Sequence, residues 1–413
     1  MPIDVTSAVP AAPARSLRND IRVISLVSIA HLISHFNIML LPPLLPLIKA
    51  DLGVTYEALG FAVTILNLVN LATQTPIGFL VDRLGARNLL IAGLLVGGIA
   101  TAAVGLVQSY WLFMLMFGIL GLSNSVYHPA DYSILSGTVA PQRMGRAFAA
   151  HNFMGYVGFA LGPPVMLTAS ALWGWRGAFA FAGLFSIAVG LLLVLQGGAL
   201  RADRLAASGA ASGAAKPAEP VNGTRVLTST PVLLALLFYV FLALGTQGVN
   251  AFLVVALQMM YGTPIEYGSA ALSGFLGAAA LGVAAGGILA DRTRHHDRVA
   301  AAGLFTTILM VLTVANVDLG NILLVVVMSV AGMLFGAINP SRDMLVRSIT
   351  PPGQSGKVFA FVTTGFTIGG IIVPPIFGRI IDHGDPHWIF WISAAALVCA
   401  IVARPRRRSS ADA

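Results

Sequence analysis

Charged residues are scarce in this sequence. Asp, Glu, Lys and Arg make up 10% of its 413 residues, against about 25% in a soluble globular domain. That is too few to cover a water-facing surface, which excludes an ordinary soluble fold. Cysteine is nearly missing. Cys399 stands alone, so the chain forms neither an internal disulfide nor a cysteine-cluster metal site. No Gly-x-x-x-x-Gly-Lys-Ser/Thr loop occurs, so no ATP site is evident. No nucleophile–base pair stands out either, and an enzyme is not expected.

What the chain has instead is apolar runs of the length a lipid-spanning helix needs, roughly 20 residues each. Reading those runs against charged, Gly and Pro breaks predicts helices near 22–48, 58–81, 88–108, 111–139, 145–172 and 176–197. A second set follows near 231–260, 266–290, 299–317, 320–349, 356–380 and 387–403. The expected fold is an all-α polytopic membrane protein of twelve transmembrane helices in two pseudo-symmetric halves. The expected division is a disordered arm (1–20), a first half (21–199), a linker (200–230), a second half (231–403) and a basic tail (404–413). The linker is rich in Gly, Ala and Pro, the composition of a flexible connection.

The net charge of +8 could suggest a nucleic-acid partner, but the positions of the bases argue otherwise. Arg83, Arg87, Arg143, Arg146, Arg292, Arg294, Arg298 and Lys357 fall on the linker's side of the helices, with the bases of arm, linker and tail. The opposite loops keep only Lys49 and Arg176, with Arg379 near a helix end, and hold Asp51, Glu57, Glu266, Asp318, Asp382 and Asp385. This is a positive-inside pattern, which places both termini in the cytoplasm and the helices in a bacterial-type inner membrane.

The two sets repeat. An offset of 209 carries Gly53 to Gly262, Glu57 to Glu266, Gly78 to Gly287, Asp82 to Asp291 and Arg83 to Arg292. An offset of 211 carries Pro129 to Pro340, Phe148 to Phe359, Gly158 to Gly369 and Pro163-Pro164 to Pro374-Pro375. Such parallel six-helix repeats are the architecture of two-half secondary transporters.

Polar residues interrupt the apolar runs at a few places. The fourth predicted helix carries Asn124, His128 and Asp131 on one face, bordered by Tyr132. The first carries His31 and His35, the fifth His151, Asn152 and Tyr156, and the seventh Gln247 and Asn250. The tenth carries Asn339, Arg342, Asp343 and Arg347. A charged group near the bilayer centre costs at least about 2.5 kcal/mol, so such residues usually face a bundle interior or a wet cavity. Bland readings compete with the functional ones. His128 or Ser125 would simply satisfy a carbonyl freed by Pro129. Asp131 and Arg342 would be a structural bridge between the halves, and Asp343–Arg347 a pair within one helix. His31 and His35 have metal-pair spacing, but no third ligand is specified and no metal site is expected.

The loop "GFLVDRLGAR" (78–87) resembles the G-x-x-x-D-R-x-G signature of the major facilitator superfamily, with "GGILADRTRHH" (286–296) a weaker second copy. The resemblance covers essentially the whole chain. It implies that the first, fourth, seventh and tenth helices surround a central cavity, and that Asp82, Arg83, Asp291 and Arg292 form a cytoplasmic gate. "AHLISHF", "SVYHPADYS" and "GRAFAAHNFMGYVGFALGP" are further similar to the fosmidomycin-resistance branch of drug exporters. His31, His128, Pro129, Gly145, Gly155, Gly158, Leu161, Gly162 and Pro163 carry that likeness; His35, Ala130 and Ser133 depart from it. The expected function is proton-coupled export of a small polar or amphiphilic molecule by alternating access, in a monomer with protons as its energy source and no cofactor. His128, Asp131 and Asp343 are the leading proton carriers. The alternatives are proton-coupled uptake or exchange of a small organic anion such as a carboxylate, and a non-transporting receptor. Arg342 and Arg347 would hold an anion or act as counter-charges.

Overall fold

A computed structural model describes residues 16–200, 226–351 and 354–405. Most of the expected arm, linker and tail lies outside them. The first half comprises α1 (Leu17–Ile38), the short α2 (Leu45–Leu52), α3 (Tyr56–Leu84), α4 (Ala86–Val104), α5 (Tyr110–Thr138) and α6 (Met144–Gln196). The second comprises α7 (Thr230–Tyr261), α8 (Ile265–Arg292), α9 (His296–Asn316), α10 (Gly320–Ile349), α11 (Ser355–Asp382) and α12 (His387–Ala403).

Two departures from the expected helices have local causes. The first predicted span is broken after Ile38, where Pro42-Pro43 removes two backbone donors and a short 3-10 turn (Pro42–Leu44) hands over to α2. The fifth and sixth spans are joined as one helical stretch of 53 residues, interrupted only by Gly174 at φ 68°, ψ 170°. At about 1.5 Å per residue a straight helix of that length would far exceed the bilayer. Instead the chain turns back at Gly174. Arg143 at one end reaches Asp20, Gln196 at the other reaches Arg22, and Arg176 at the turn pairs with Asp51. The stretch is therefore two spans. Ten stretches of the described chain are long and apolar enough to cross a membrane, the doubled one among them, and His387–Ala403 is a shorter apolar helix.

The packing obeys the repeat read from sequence. In the first half α3 packs on α5, α1 on the first part of α6, and α4 on α5 and the second part of α6. The equivalent pairs pack in the second half: α8 on α10, α7 on α11, and α9 on α10 and α12. The most extensive contacts between halves are α3 with α11 and α6 with α8, which exchange under the same two-fold relation. Gly53 and its repeat mate Gly262 both close a helix in the left-handed conformation (φ 62° and 65°). Helices without a hydrophobic drive toward one another associate through small residues. α8 and α10 interlock this way: Gly282 and Gly286 lie against the backbone at Met333 and Ala337, and Gly332 and Gly336 against Phe275 and Ala279.

Calling the side where α6 ends and α7 begins the linker side, the halves are clasped on the far side. Asp382 at the end of α11 accepts from Lys49 Nζ (2.6 Å) and from the backbone N–H of Tyr56 (3.1 Å) and Glu57 (2.9 Å), the first residues of α3. A carboxylate there matches the free donors and positive dipole of a helix N-terminus. Arg379 stands 3.6 Å from Glu57. Deeper in, Thr64 donates to the Ile371 carbonyl and Asn67 to that of Gly370.

Candidate functional site

Beneath the clasp lies a cavity of about 430 Å³ between the halves. Its walls come from α1, α3, α5 and α6 on one side and from α7, α8, α10 and α11 on the other. His35, Asn124, His128 and Tyr156 face Gln247, Asn250, Asn339 and Arg342 across it, with Phe252, Phe275, Phe335 and Phe366 supplying an aromatic wall. On α10 Asn339 is 6% exposed, and the side chains of Arg342 and Asp343, one turn nearer the linker side, are 14% and 48% exposed, while Ser341, Leu345 and Val346 beside them are buried. The far end is capped by Leu45, Leu59 and Pro374.

Behind the first-half wall the structure gathers a cluster that the sequence scatters over 120 residues between His31 and His151. Asp131 is fully buried, and its Oδ2 lies 3.0 Å from His151 Nε2 and 3.5 Å from His31 Nδ1. The His31 and His151 rings stack at 3.6 Å, and His35 and His128 follow at 4.3 and 5.1 Å from His31. Gly155 makes this possible, because a Cβ there would fall 2.8 Å from His31 Nε2 and 3.1 Å from His35 Cε1. His35 and His128 reach the cavity, whereas His31, Asp131 and His151 do not line it. The cluster thus runs as a chain of titratable groups from the cavity into a dry interior.

The second-half wall holds a different set. Arg342 donates from Nε to Asp343 (2.9 Å) and from a terminal nitrogen to Asn339 Oδ1 (3.0 Å). Its guanidinium lies over the rings of Tyr239 and Phe366, 4.9 and 5.6 Å from their centroids. Tyr239 Oη donates to Asp343 (3.1 Å), and Asn339 donates to Tyr156 Oη (2.8 Å) across the halves.

Several expected pairings are not those observed. Asp131 does not meet Arg342, since each is held within its own half. Asp343 bonds Arg342 and Tyr239 in place of Arg347, which points to a linker-side pocket with Arg294, His296 and Asp297. Asn152 is exposed, one position round the helix from buried His151. Tyr132 is 44% exposed and packs by its ring on His128, Phe148 and His151. Ser125 donates to Leu122, not to its own carbonyl freed by Pro129, and His128 Nδ1 has no partner, so neither is the proline's satisfier. Asp82, Arg83, Asp291 and Arg292, which the resemblance assigns to a gate, are exposed on the linker side. Sequence reasoning missed Tyr239, although Thr246, Gln247 and Asn250 follow it on the same face of α7 at seven, eight and eleven residues. It also missed Asp20, buried and bonded to Arg143 (2.6 Å), which ties α1 to the loop before α6.

A family model described as Major Facilitator Superfamily matches the sequence over residues 27–314 and 248–412. The chain belongs to that superfamily. Its members are transporters, and the protein is accordingly a multi-pass membrane transporter, not an enzyme. The fosmidomycin resistance protein of Escherichia coli K12 is 22% identical over 393 residues, 93% of this chain and 92% of that one. The probable L-galactonate transporter of the same organism is 26% identical over 140 residues, which is 34% of this chain and only 31% of that protein's length. Among solved structures, a bacterial homolog of the human lysosomal transporter Spinster, inward-facing and unoccupied, superposes with a TM-score of 0.76 at 15% identity. That match covers 94% of this chain and 96% of the other, and it speaks to the fold alone.

Proposed function

We propose that this superfamily member is a proton-coupled antiporter that exports a small organic molecule bearing an acidic group. It works as a monomer in the cytoplasmic membrane with its linker side in the cytoplasm. The observation that carries the reading is the division of labour across one cavity. A buried carboxylate with four imidazoles stands behind one wall, and a guanidinium stands in the other. Histidine is the side chain that titrates nearest neutral pH, and its rings here connect Asp131 to the cavity. Arg342, held by Asp343 and Asn339 and stacked between aromatic rings, presents its remaining donors as an anchor for a carboxylate or phosphonate. Substrate on Arg342 and a proton on the Asp131 cluster each bias the equilibrium between inward- and outward-open states, as coupling requires. The far-side clasp and the exposure of Asp343, one turn nearer the linker side than Asn339, support an inward-open state as the one described.

Likeness along the whole chain to the fosmidomycin resistance protein supports export. A second reading, uptake of a small organic anion with protons, draws on Arg342 and on the partial likeness to the L-galactonate transporter. The test is reconstitution in vesicles under an imposed pH gradient, with labelled carboxylates, phosphonates and lipophilic cations. Gradient-driven flux of an acidic compound against the proton flow is expected. Flux along with protons establishes the second reading, and transport of cations alone, unaffected by Arg342→Gln, defeats both.

A further inference from the structure

The cluster has a property that proton carriage does not need. Five of its buried polar atoms lack a hydrogen-bond partner: Nδ1 of His31, His35, His128 and His151, and Oδ1 of Asp131. Buried polar groups in folded proteins are nearly always satisfied. Of these five, His31 Nδ1 turns to the Asp131 Oδ2 atom at 3.5 Å, the same oxygen that His151 Nε2 approaches at 3.0 Å. Three donor atoms already converge. The ligating atoms of His31, Asp131 and His151 all lie within 4.8 Å of one another. Two edges of that triangle, 3.0 and 3.5 Å, bracket the separation of about 3.3 Å between donors of a tetrahedral ion at bonds of about 2.0–2.1 Å.

We propose that His31, Asp131 and His151 form a binding site for a divalent transition metal of the zinc class, reached from the cavity past His35 and His128. Two imidazoles and one carboxylate select a borderline ion over magnesium or calcium, which take oxygen ligands. Three protein ligands leave a coordination position open. The His151 ring lacks at Nδ1 the carboxylate or carbonyl that usually receives the other ring N–H and strengthens a resident site. The stacked rings, 19° from parallel, also have to tilt toward a common point. Both features mark a reversible ligand, not a permanent cofactor. The metal takes the lone pairs a proton would occupy, so, resting on the proton-coupling reading above, its binding displaces the proton and arrests transport.

The test uses the full chain in detergent with any purification tag removed, titrated with Zn²⁺ by calorimetry and with Co²⁺ by visible absorption. One ion per chain is expected, weakened about tenfold or more in Asp131→Asn and in His151→Gln, each checked for folding by gel filtration. His31→Gln supplies a third variant should either fail to fold. His295→Ala/His296→Ala is expected to bind as the wild type does. Absence of binding at millimolar metal, or binding that the cluster variants leave unchanged, overturns the site. Zn²⁺ is also expected to slow coupled flux in vesicles. Binding that leaves flux unchanged overturns the competition, and the metal-free flux measurement tests proton coupling separately.

Discussion

The two halves carry the same helices in the same packing and opposite chemistry at matching places. Asp131 on α5 and Arg342 on α10 are repeat mates at an offset of 211. Around Asp131, α1 brings His31 and His35 and α6 brings His151. Around Arg342, the corresponding α7 brings Tyr239 and α11 brings Phe366. Even the packing differs in kind, because Phe366 stands where its mate in the first half is Gly155. The glycine lets imidazoles close over the acid and seal it. The phenylalanine flanks the guanidinium and leaves it facing the cavity. On the function proposed above, one fold unit, used twice, separates a site that stores charge from a site that holds cargo.

The largest effect expected is from Asp131→Asn, which keeps the shape and removes the acid. Proton-driven flux should fall to background while gradient-free exchange of substrate continues. Loss of both would mean that the first half also binds cargo. Next, Arg342→Gln should weaken substrate binding about 10- to 100-fold, since a hydrogen bond to a charged group is worth about 1.5–3 kcal/mol. Arg342→Lys should restore only part of it, as lysine lacks the planar fork, and calorimetric titration with the transported compound reads both. Gly155→Ala pushes a methyl into the His31 and His35 rings and should destabilise by about 1–3 kcal/mol as an overpacked contact. Thermal unfolding in detergent checks it. Tyr239→Phe is the smallest. It removes one hydrogen bond to Asp343, worth about 1 kcal/mol, and should shift substrate affinity only a few-fold.

Much of this was legible in sequence, and the failures have reasons. Span length and the ordered Gly and Pro matches gave the two halves, because lipid fixes helix length and prolines mark fixed points in a helix. The Asp131–Arg342 bridge failed because repeat mates occupy equivalent positions about a two-fold axis, which places them on opposite walls, not in contact. The Asp343–Arg347 pair failed because helical spacing counts only neighbours on one helix. Tyr239 from α7 and adjacent Arg342 reach the carboxylate instead. His31 and His35 suggested an incomplete pair of ligands. Of the groups the structure sets beside His31, His151 comes from α6, whose approach to α1 depends on Gly155 and on Gly158, which lies against the Leu32 carbonyl, and Asp131 comes from α5.

Asp382 has a consequence for how this carrier can be watched. If the halves rock as proposed above, its grip on the Tyr56 and Glu57 amides belongs to one orientation, so swinging outward strips the first turn of α3 of its acceptor and hands those amides to water. Deuterium uptake at Tyr56 and Glu57 is therefore an unlabelled clock of which way the transporter faces. Substrate or proton should slow or quicken it in proportion to the population each one favours.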